Sequence, residues 1–92
     1  MKSIMQTDRR CYICGATEGL ERHHVMGAAN RKLSEKCGLV IWLCLEHHRG
    51  TNGAHGKNGN EVSKWLKREA QRKFEETHSR EEWMKIFGRN YL

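Results

Sequence analysis

The fold of this chain is constrained most by two pairs of residues whose side chains commonly bind metals. In each pair the two residues are separated by two others. Cys11 and Cys14 form the first pair, and Cys44 and His47 form the second. A CxxC turn aims two sulfurs at one ion, and a second pair with the same gap completes a tetrahedral set of four ligands. These four residues therefore predict a closed structural zinc site that joins two distant segments of the chain.

Two other roles for these cysteines fit the sequence less well. A redox-active CxxC needs a thioredoxin-like βαβ context, which is not visible here, and disulfides are rare in the cytosol. The chain has no signal-peptide core and no apolar stretch long enough to cross a bilayer, so we expect a cytoplasmic protein without a membrane partner. Cys37 is the odd cysteine, and we expect it to be a small buried hydrophobic residue or a free thiol.

The length and the charge of the chain narrow the fold and the partner. Ninety-two residues make one domain, and a domain this small often needs a metal or a partner chain as a staple. Lys and Arg number 17 against 11 Asp and Glu, which leaves a formal charge of +6. A basic balance favours a polyanionic partner such as nucleic acid, although a solvated basic surface accounts for the charge as well.

Five of the six histidines lie in residues 22–55, and four of them form two adjacent pairs. The first pair, His23 and His24, lies within residues 19–27, whose alternating pattern predicts a strand. Alternation along a strand points the two rings to opposite faces. For a single pair, one core histidine and one surface histidine would be a sufficient explanation. A second adjacent pair downstream favours a shared function instead.

The elements around the histidines follow from apolar spacing and from glycine. Residues 39–43 form the densest apolar run and predict a second strand, antiparallel to the first. From Cys44 we expect a helix that carries the second histidine pair, followed by a glycine-rich loop, 50–56, that bends His55 back. The polar connection between the strands contains one helical turn, over residues 30–36.

Both ends of the chain carry simpler signals. Residues 1–10 predict a weakly ordered lead-in, whereas residues 60–78 predict a long helix with Asn60 as its N-cap. A capping box over 79–82 opens a last helix that ends near Gly88. The basic face of the longer helix either follows a phosphate backbone or is simply solvated. Apolar stripes predict the core-facing side of both helices: Val62, Trp65, Leu66, Ala70 and Phe74 in the first, and Trp83, Met84 and Phe87 in the second.

The order of these motifs resembles the HNH endonucleases of the His-Me finger (ββα-metal) superfamily. The shared elements are a CxxC, a His-His-hydrophobic sequence that ends a strand, and an apolar strand that runs into Leu-Cys-x-x-His-His. The loop after the first histidine pair and the helical tail are similar to small prophage-encoded HNH proteins of Gram-positive bacteria. The resemblance implies an α+β fold in a single domain, 1–92. A ββα-metal core with a zinc knuckle would span 11–58, and two C-terminal helices would span 60–88.

The resemblance also implies roles for the histidines. In this family the first residue of the His-His pair is usually a metal ligand, and the second is the general base. It therefore implies that His23 and His48 bind a catalytic divalent ion (Mg²⁺, Mn²⁺ or Ni²⁺) and that His24 activates water. His55 is implied as a further ligand. Where the family often has Cys-x-x-Cys-His, this chain has His47 before His48, which assigns His47 to zinc.

The chain departs from the family at the central Asn of the motif. That residue usually stands just before the second strand, where this chain has Cys37 and Gly38. Asn30 and Asn52 are the alternatives that the sequence offers. Without an Asn to orient the base, the protein would be weakly active or a binding relic of the fold.

The hypothesis that follows is a metal-dependent DNA endonuclease with little sequence specificity, encoded by a phage or prophage. The alternative is a non-catalytic, zinc-dependent DNA-binding module on the same fold. A purely structural zinc domain ranks last, because it leaves four histidines without a shared purpose. A monomer would nick DNA, and a symmetric homodimer would cut both strands. Five basic residues near the motif are candidates for phosphate contacts: Arg22, Arg31, Lys32, Arg49 and Lys57.

Overall fold

An antiparallel pair of strands, β1 and β2, organises the computed structural model, which describes residues 3–51, 53–57 and 59–92. The fold is α+β, as the sequence predicts. In chain order the elements are β1 (Leu20–His24), a short 3₁₀ turn (Ala28–Asn30), α1 (Arg31–Lys36), β2 (Val40–Cys44), α2 (Leu45–His48), α3 (Asn60–Phe74) and α4 (Arg80–Phe87). None of the described helices combines the length and the apolar composition that crossing a bilayer requires.

The register of the two strands separates two ends of the sheet. Leu20 pairs with Cys44 at one end, and His24 pairs with Val40 at the other. The predicted strands are therefore confirmed, with β1 ending at His24. Because side chains alternate along a strand, His23 is buried on one face while its neighbour His24 lies on the other and is partly exposed.

The N-terminal segment lies along β2, so the prediction of a weakly ordered lead-in is wrong for its described part. The Ser3 hydroxyl donates to the carbonyl of Val40 at 2.6 Å, and the backbone N–H of Trp42 donates to the side-chain oxygen of Gln6 at 2.9 Å. Met5 is buried in the core. These bonds satisfy polar groups along the open edge of β2 that would otherwise be left to solvent.

The core is one cluster to which the strands, the knuckle and both C-terminal helices contribute. Leu66, Ala70 and Phe74 of the predicted stripe in α3 are buried, whereas Trp65 of the same stripe is 38% exposed. In α4, Trp83 is fully buried, but Met84 is 38% exposed, so its placement in the core is wrong. Each predicted stripe is thus wider than the face that the small core covers.

Both ends of α3 differ from the prediction, whereas the ends of α4 agree with it. The helix α3 ends at Phe74 rather than near residue 78. Gly59, not Asn60, is the N-cap of α3, since its carbonyl accepts from the Ser63 N–H at 2.8 Å. A side chain at Gly59 would overlap the backbone carbonyls of residues 53 and 54, so only glycine fits there. The capping box over 79–82 and the left-handed Gly88 at the end of α4, with φ of 71°, are confirmed.

A fully buried serine anchors α1 and is a test of this packing. The Ser34 hydroxyl donates to the carbonyl of Leu39 at 2.6 Å and accepts from the backbone N–H of Met26 at 3.1 Å. Replacing Ser34 with Ala leaves the buried Met26 N–H without that acceptor. We expect the free energy of unfolding, measured by urea denaturation of zinc-loaded protein, to fall by about 2 kcal/mol. Thr17→Ala, at an exposed position, is the control, and an equal effect of both changes would contradict the assignment.

Candidate metal centres

The first cluster consists of Cys11, Cys14, Cys44 and His47, whose ligand atoms all lie within 4.8 Å of one another. The sulfurs of Cys14 and Cys44 are 3.8 Å apart, and Nδ1 of His47 is 3.2 Å from the sulfur of Cys44 and 3.7 Å from that of Cys11. In a tetrahedral zinc site with Zn–S bonds of about 2.3 Å, neighbouring sulfurs lie about 3.8 Å apart. The cluster can therefore hold a metal ion such as zinc.

Local structure explains why these four side chains converge. The turn that carries Cys11 and Cys14 is closed by hydrogen bonds from the Gly15 N–H to the Cys11 carbonyl and from the Cys11 N–H to the Ala16 carbonyl. Gly15 adopts a φ of 79°, which favours glycine. The turn is tied to the sheet by the Tyr12 N–H, which donates to the Trp42 carbonyl at 2.8 Å.

The thiol of Cys11 sits in an environment that favours its ionised form. Burial opposes ionisation, but backbone N–H groups, those of Cys44 and Cys14 foremost, lower its pKa from 9.0 to about 6. A thiolate is the form that binds zinc. Cys37 lies outside the cluster and is partly buried against the core, and burial raises its pKa.

The second cluster consists of His23 from β1, His48 from α2 and His55 from the loop that follows. One nitrogen of each ring lies within 4.8 Å of the others. The ring centroids are 4.7 to 5.2 Å apart, and the rings meet edge to face. The structure thus brings together the three histidines that the resemblance assigns to the catalytic ion, and it places His24 apart from them.

The glycine-rich loop bends back on α2, as the sequence predicts. The His55 N–H donates to the His48 carbonyl at 2.8 Å, and the Ala54 N–H donates to the His47 carbonyl at 2.9 Å. A Cβ at Gly53 would overlap the backbone of residues 46 and 47. The loop backbone thus packs closely against the backbone of α2, and this contact places His55 near His48.

The electrostatics of the cluster keep its most buried ring neutral. Burial, followed by the positive forms of His55 and His48, lowers the pKa of His23 to about 3. Its Nδ1 is buried and has no hydrogen-bond partner among the described residues. A buried polar atom without a partner is costly, and a neutral imidazole is the form that ligates metals. Burial also lowers the pKa of His55.

Glu21 fixes the orientation of His48. The His48 Nδ1–H donates to Oε1 of Glu21 at 2.8 Å, which leaves Nε2 as the ring nitrogen for an ion. Arg49 in turn donates to both oxygens of Glu21, at 2.9 and 2.7 Å. The bond from His48 and the charge of Arg49 lower the pKa of the Glu21 carboxyl. The carboxylate therefore stays ionised and holds the imidazole of His48 in one orientation.

His24 has a carboxylate partner of its own on the other side of β1. Its Nε2 lies 3.3 Å from Oε1 of Glu35, and Oε2 of Glu35 accepts from Arg22 at 2.7 Å. Burial opposes ionisation of Glu35, but the His24 hydrogen bond and the Arg22 charge outweigh it and lower the pKa. An open groove of about 270 Å³ connects His24 to the three-histidine cluster, and Arg31 lines it as well.

The basic residues predicted to contact phosphates differ in their surroundings. Arg31 and Lys32 are exposed on α1 and line the surface next to His24. Arg22 and Arg49 are each paired with a glutamate, so part of their charge is already neutralised. Lys57 is exposed directly after the glycine-rich loop, and none of the described ion pairs includes it.

The described side chains that form hydrogen bonds with His24 and His48 are carboxylates, whereas the family resemblance implies an Asn in the site. Gly38 adopts a left-handed φ of 74° just before β2, and Asn30 ends the 3₁₀ turn. Asn52 lies outside the described residues. Glu21 shares the His23 face of β1 and could have been found from strand alternation. Glu35 comes from α1, and nothing in the local sequence points to it.

Comparison with protein-family models, with curated proteins and with solved structures finds no match for this chain. What the two clusters can do therefore follows from their own residues.

The cysteine cluster is tested by its zinc content. In a His48→Ala background, where the histidine cluster is disabled, we expect about one zinc per chain, and we expect Cys44→Ser to remove most of it. Because zinc binding is linked to folding, the thermal midpoint of Cys44→Ser should fall as well. Elemental analysis and thermal denaturation measure the two effects. Cys37→Ser, the matched control, should keep its zinc, and equal zinc content in both variants would contradict the assignment.

Proposed function

We propose that this protein is a metal-dependent DNA endonuclease of the HNH type, in which β1, β2 and α2 form a ββα-metal core. The observation that carries the proposal is a three-histidine cluster that opens onto the same groove as His24, with His24 held by its own carboxylate. A structural zinc domain needs only the cysteine cluster. A purely structural role does not explain a second set of converging imidazoles that shares a groove with a histidine paired with glutamate.

The donor set of the second cluster fits a divalent ion. His23, His48 and His55 offer three imidazoles, and the buried Nδ1 of His23, which has no partner among the described residues, is the kind of atom that a ligand satisfies. A divalent ion held there would stabilise the negative charge that develops on a phosphate during hydrolysis. Imidazole donors suit nickel better than magnesium, which prefers oxygen. We therefore favour Ni²⁺ over Mg²⁺ as the effective ion.

His24 is proposed as the general base. It lies at the end of β1, opens onto the same groove as the cluster, and has one ring nitrogen directed at Glu35. A carboxylate that accepts from one imidazole nitrogen leaves the other free to take a proton from water, as in other histidine–carboxylate pairs. Glu35 therefore acts as a positioning residue for His24, and Arg22 holds Glu35 in turn.

The cysteine cluster has a structural role in this proposal, and the histidine cluster has the chemical one. All four donors of the cysteine cluster come from the protein, which leaves no position for substrate. The histidine cluster supplies only three ligands and borders an open groove with Arg31 on its wall. Phosphate oxygens can reach the second cluster, while the first ties the knuckle to β2. The motif resemblance further supports a phage or prophage origin and action in the bacterial cytoplasm.

A non-catalytic DNA-binding module is the second candidate. The observation that favours it is the absence, among the described residues, of an asparagine amide bonded to His24. If Glu35 cannot replace that asparagine, the fold would bind DNA without cutting it. The two candidates share the zinc site and the basic surface, and they differ in whether His24 is needed chemically.

Plasmid nicking decides between them. We expect wild-type protein to convert supercoiled plasmid to nicked or linear form, more strongly with Ni²⁺ or Mn²⁺ than with Mg²⁺. His24→Ala should reduce the rate by about 100-fold or more, which is the usual contribution of a general base. The nicking rate of Glu35→Gln should lie between those of wild type and His24→Ala, because His24 remains but loses its ionised partner. The nicked-to-linear ratio reports whether one chain or a homodimer acts.

Two controls make this experiment decisive. His78→Ala changes a histidine outside both clusters, stacked on Phe74, and should leave nicking unchanged. His48→Ala replaces chelation as the test of the ion, because a chelator would also strip the cysteine cluster. If His24→Ala cut as fast as wild type, the base would be misassigned. If wild type bound DNA but no ion supported cleavage, the binding module would replace the nuclease.

The histidine cluster is also tested without any activity measurement. Glu21→Gln keeps the shape of the side chain but removes the charge that orients His48. We expect the affinity for Ni²⁺ to fall by about 10-fold to 100-fold, which is typical of losing a carboxylate behind a metal-bound histidine. Isothermal titration of zinc-loaded protein measures it. Glu18→Gln, at an exposed position two residues before β1, is the matched control, and equal affinities would remove Glu21 from the site.

A further inference from the structure

A second groove, of about 370 Å³, lies between α3 and the C-terminal tail and is lined by cations. Lys64, Lys67 and Arg68 come from α3, and Arg89 comes from the tail. The other lining side chains are polar or aromatic, and none of them is acidic. This groove is separate from the one beside His24. It includes part of the basic face of α3, for which the sequence alone left open phosphate binding or simple solvation.

The tail that forms one wall is held in place by buried polar groups. Gln71 is fully buried; its amide nitrogen donates to Asn90 at 2.8 Å, and its oxygen accepts from the Tyr91 N–H at 2.6 Å. The indole N–H of the fully buried Trp83 donates to the Arg89 carbonyl at 2.8 Å. Buried polar groups must be satisfied, so these bonds specify where the tail lies. The position of Arg89 opposite α3 is therefore built into the fold.

The charges in this groove are largely uncompensated. Among the described residues, no carboxylate forms an ion pair with Lys67, Arg68 or Arg89. Lys64 is paired with Glu61 at 3.9 Å, and Arg72 of the same helix, outside the groove, is paired with Glu69. Lys67 and Arg89 instead lie over the ring of Tyr91, at 5.8 and 5.5 Å from its centroid. Like charges that share a cleft repel one another and concentrate a positive potential that attracts anions.

The groove lies close to the histidine cluster. Asn60, which lines it, follows His55 by five residues, so the chain itself limits their separation to about 17 Å. The same polyanion could therefore contact both places.

We propose that the groove between α3 and the C-terminal tail binds the phosphate backbone of DNA beside the scissile position, through Lys67, Arg68 and Arg89. This inference rests on the proposed nuclease function, since it takes DNA as the ligand. Lys67, Arg68 and Arg89 have no carboxylate partner in the part of the chain that the structure describes, so their charges are available to a phosphodiester chain. Such contacts position a duplex without reading its sequence. The groove thus sets the register of the strand that reaches the histidines.

The salt dependence of DNA binding tests this assignment. In a His24→Ala background, which prevents cleavage, fluorescence anisotropy measures the affinity for a labelled duplex over a range of salt concentrations. Each phosphate contact contributes about 0.9 to the slope of log affinity against log salt concentration. We expect Lys67→Gln/Arg68→Gln to reduce the slope by about 1.8, and to weaken binding equally for unrelated sequences. Arg72→Gln/Lys73→Gln removes the same charge from the same helix outside the groove and should leave the slope nearly unchanged.

The outcomes separate the groove from the nuclease. If both double variants reduced the slope equally, only net charge would matter, and the groove would be rejected. If wild type nicked plasmid but the groove variant bound DNA with the wild-type slope, the groove would be rejected while the nuclease stood. If no ion supported nicking but the groove variant lost the expected slope, the nuclease would fall and the groove would stand as a DNA site. With nicking intact, the groove variant should lower kcat/KM chiefly by raising KM.

Discussion

The pairing of β1 with β2 is the interaction on which both metal centres depend. Its register sets Leu20 against Cys44, so the strand that ends in His24 lies beside the strand that runs into α2. The short helix α2 then presents adjacent histidines to different clusters, His47 to the cysteines and His48 to the other imidazoles. A one-residue slip of register would turn His23 away from His48 and exchange the faces of the His23–His24 pair.

Carboxylates supply the second layer of order at the candidate site. Glu21 orients His48, and Glu35 orients His24, and each glutamate is held by an arginine. Because these glutamates come from different elements, β1 and α1, the two histidines can be placed independently. This arrangement also explains why two of the basic residues near the motif are poor candidates for strong phosphate contacts, whereas Arg31 and Lys32 remain unpaired among the described residues.

The sequence predicts those parts of the site that repeat a local pattern. The two-residue gaps predict the cysteine cluster, strand alternation separates His23 from His24, and glycines predict the return of His55. The remaining features depend on contacts between residues far apart in the chain. Ser34 fixes the position of α1 so that Glu35 reaches His24, and the buried Gln71 holds the tail against α3. The side-chain types alone did not predict these distant partners, so the sequence left them unassigned.

The charge of the histidine cluster bears on how the proposed DNA ligand would bind. Among the described residues the cluster includes no carboxylate ligand. Glu21, which accepts from His48, is also bonded to Arg49, so its charge is already shared. A divalent ion there would add positive charge to a groove that Arg31 also lines. In the proposed nuclease, the phosphates of DNA supply the missing negative charge, so the ion and the substrate each favour binding of the other. Such coupling is reciprocal by thermodynamic necessity. The ion would therefore bind the histidines more tightly when DNA is already bound.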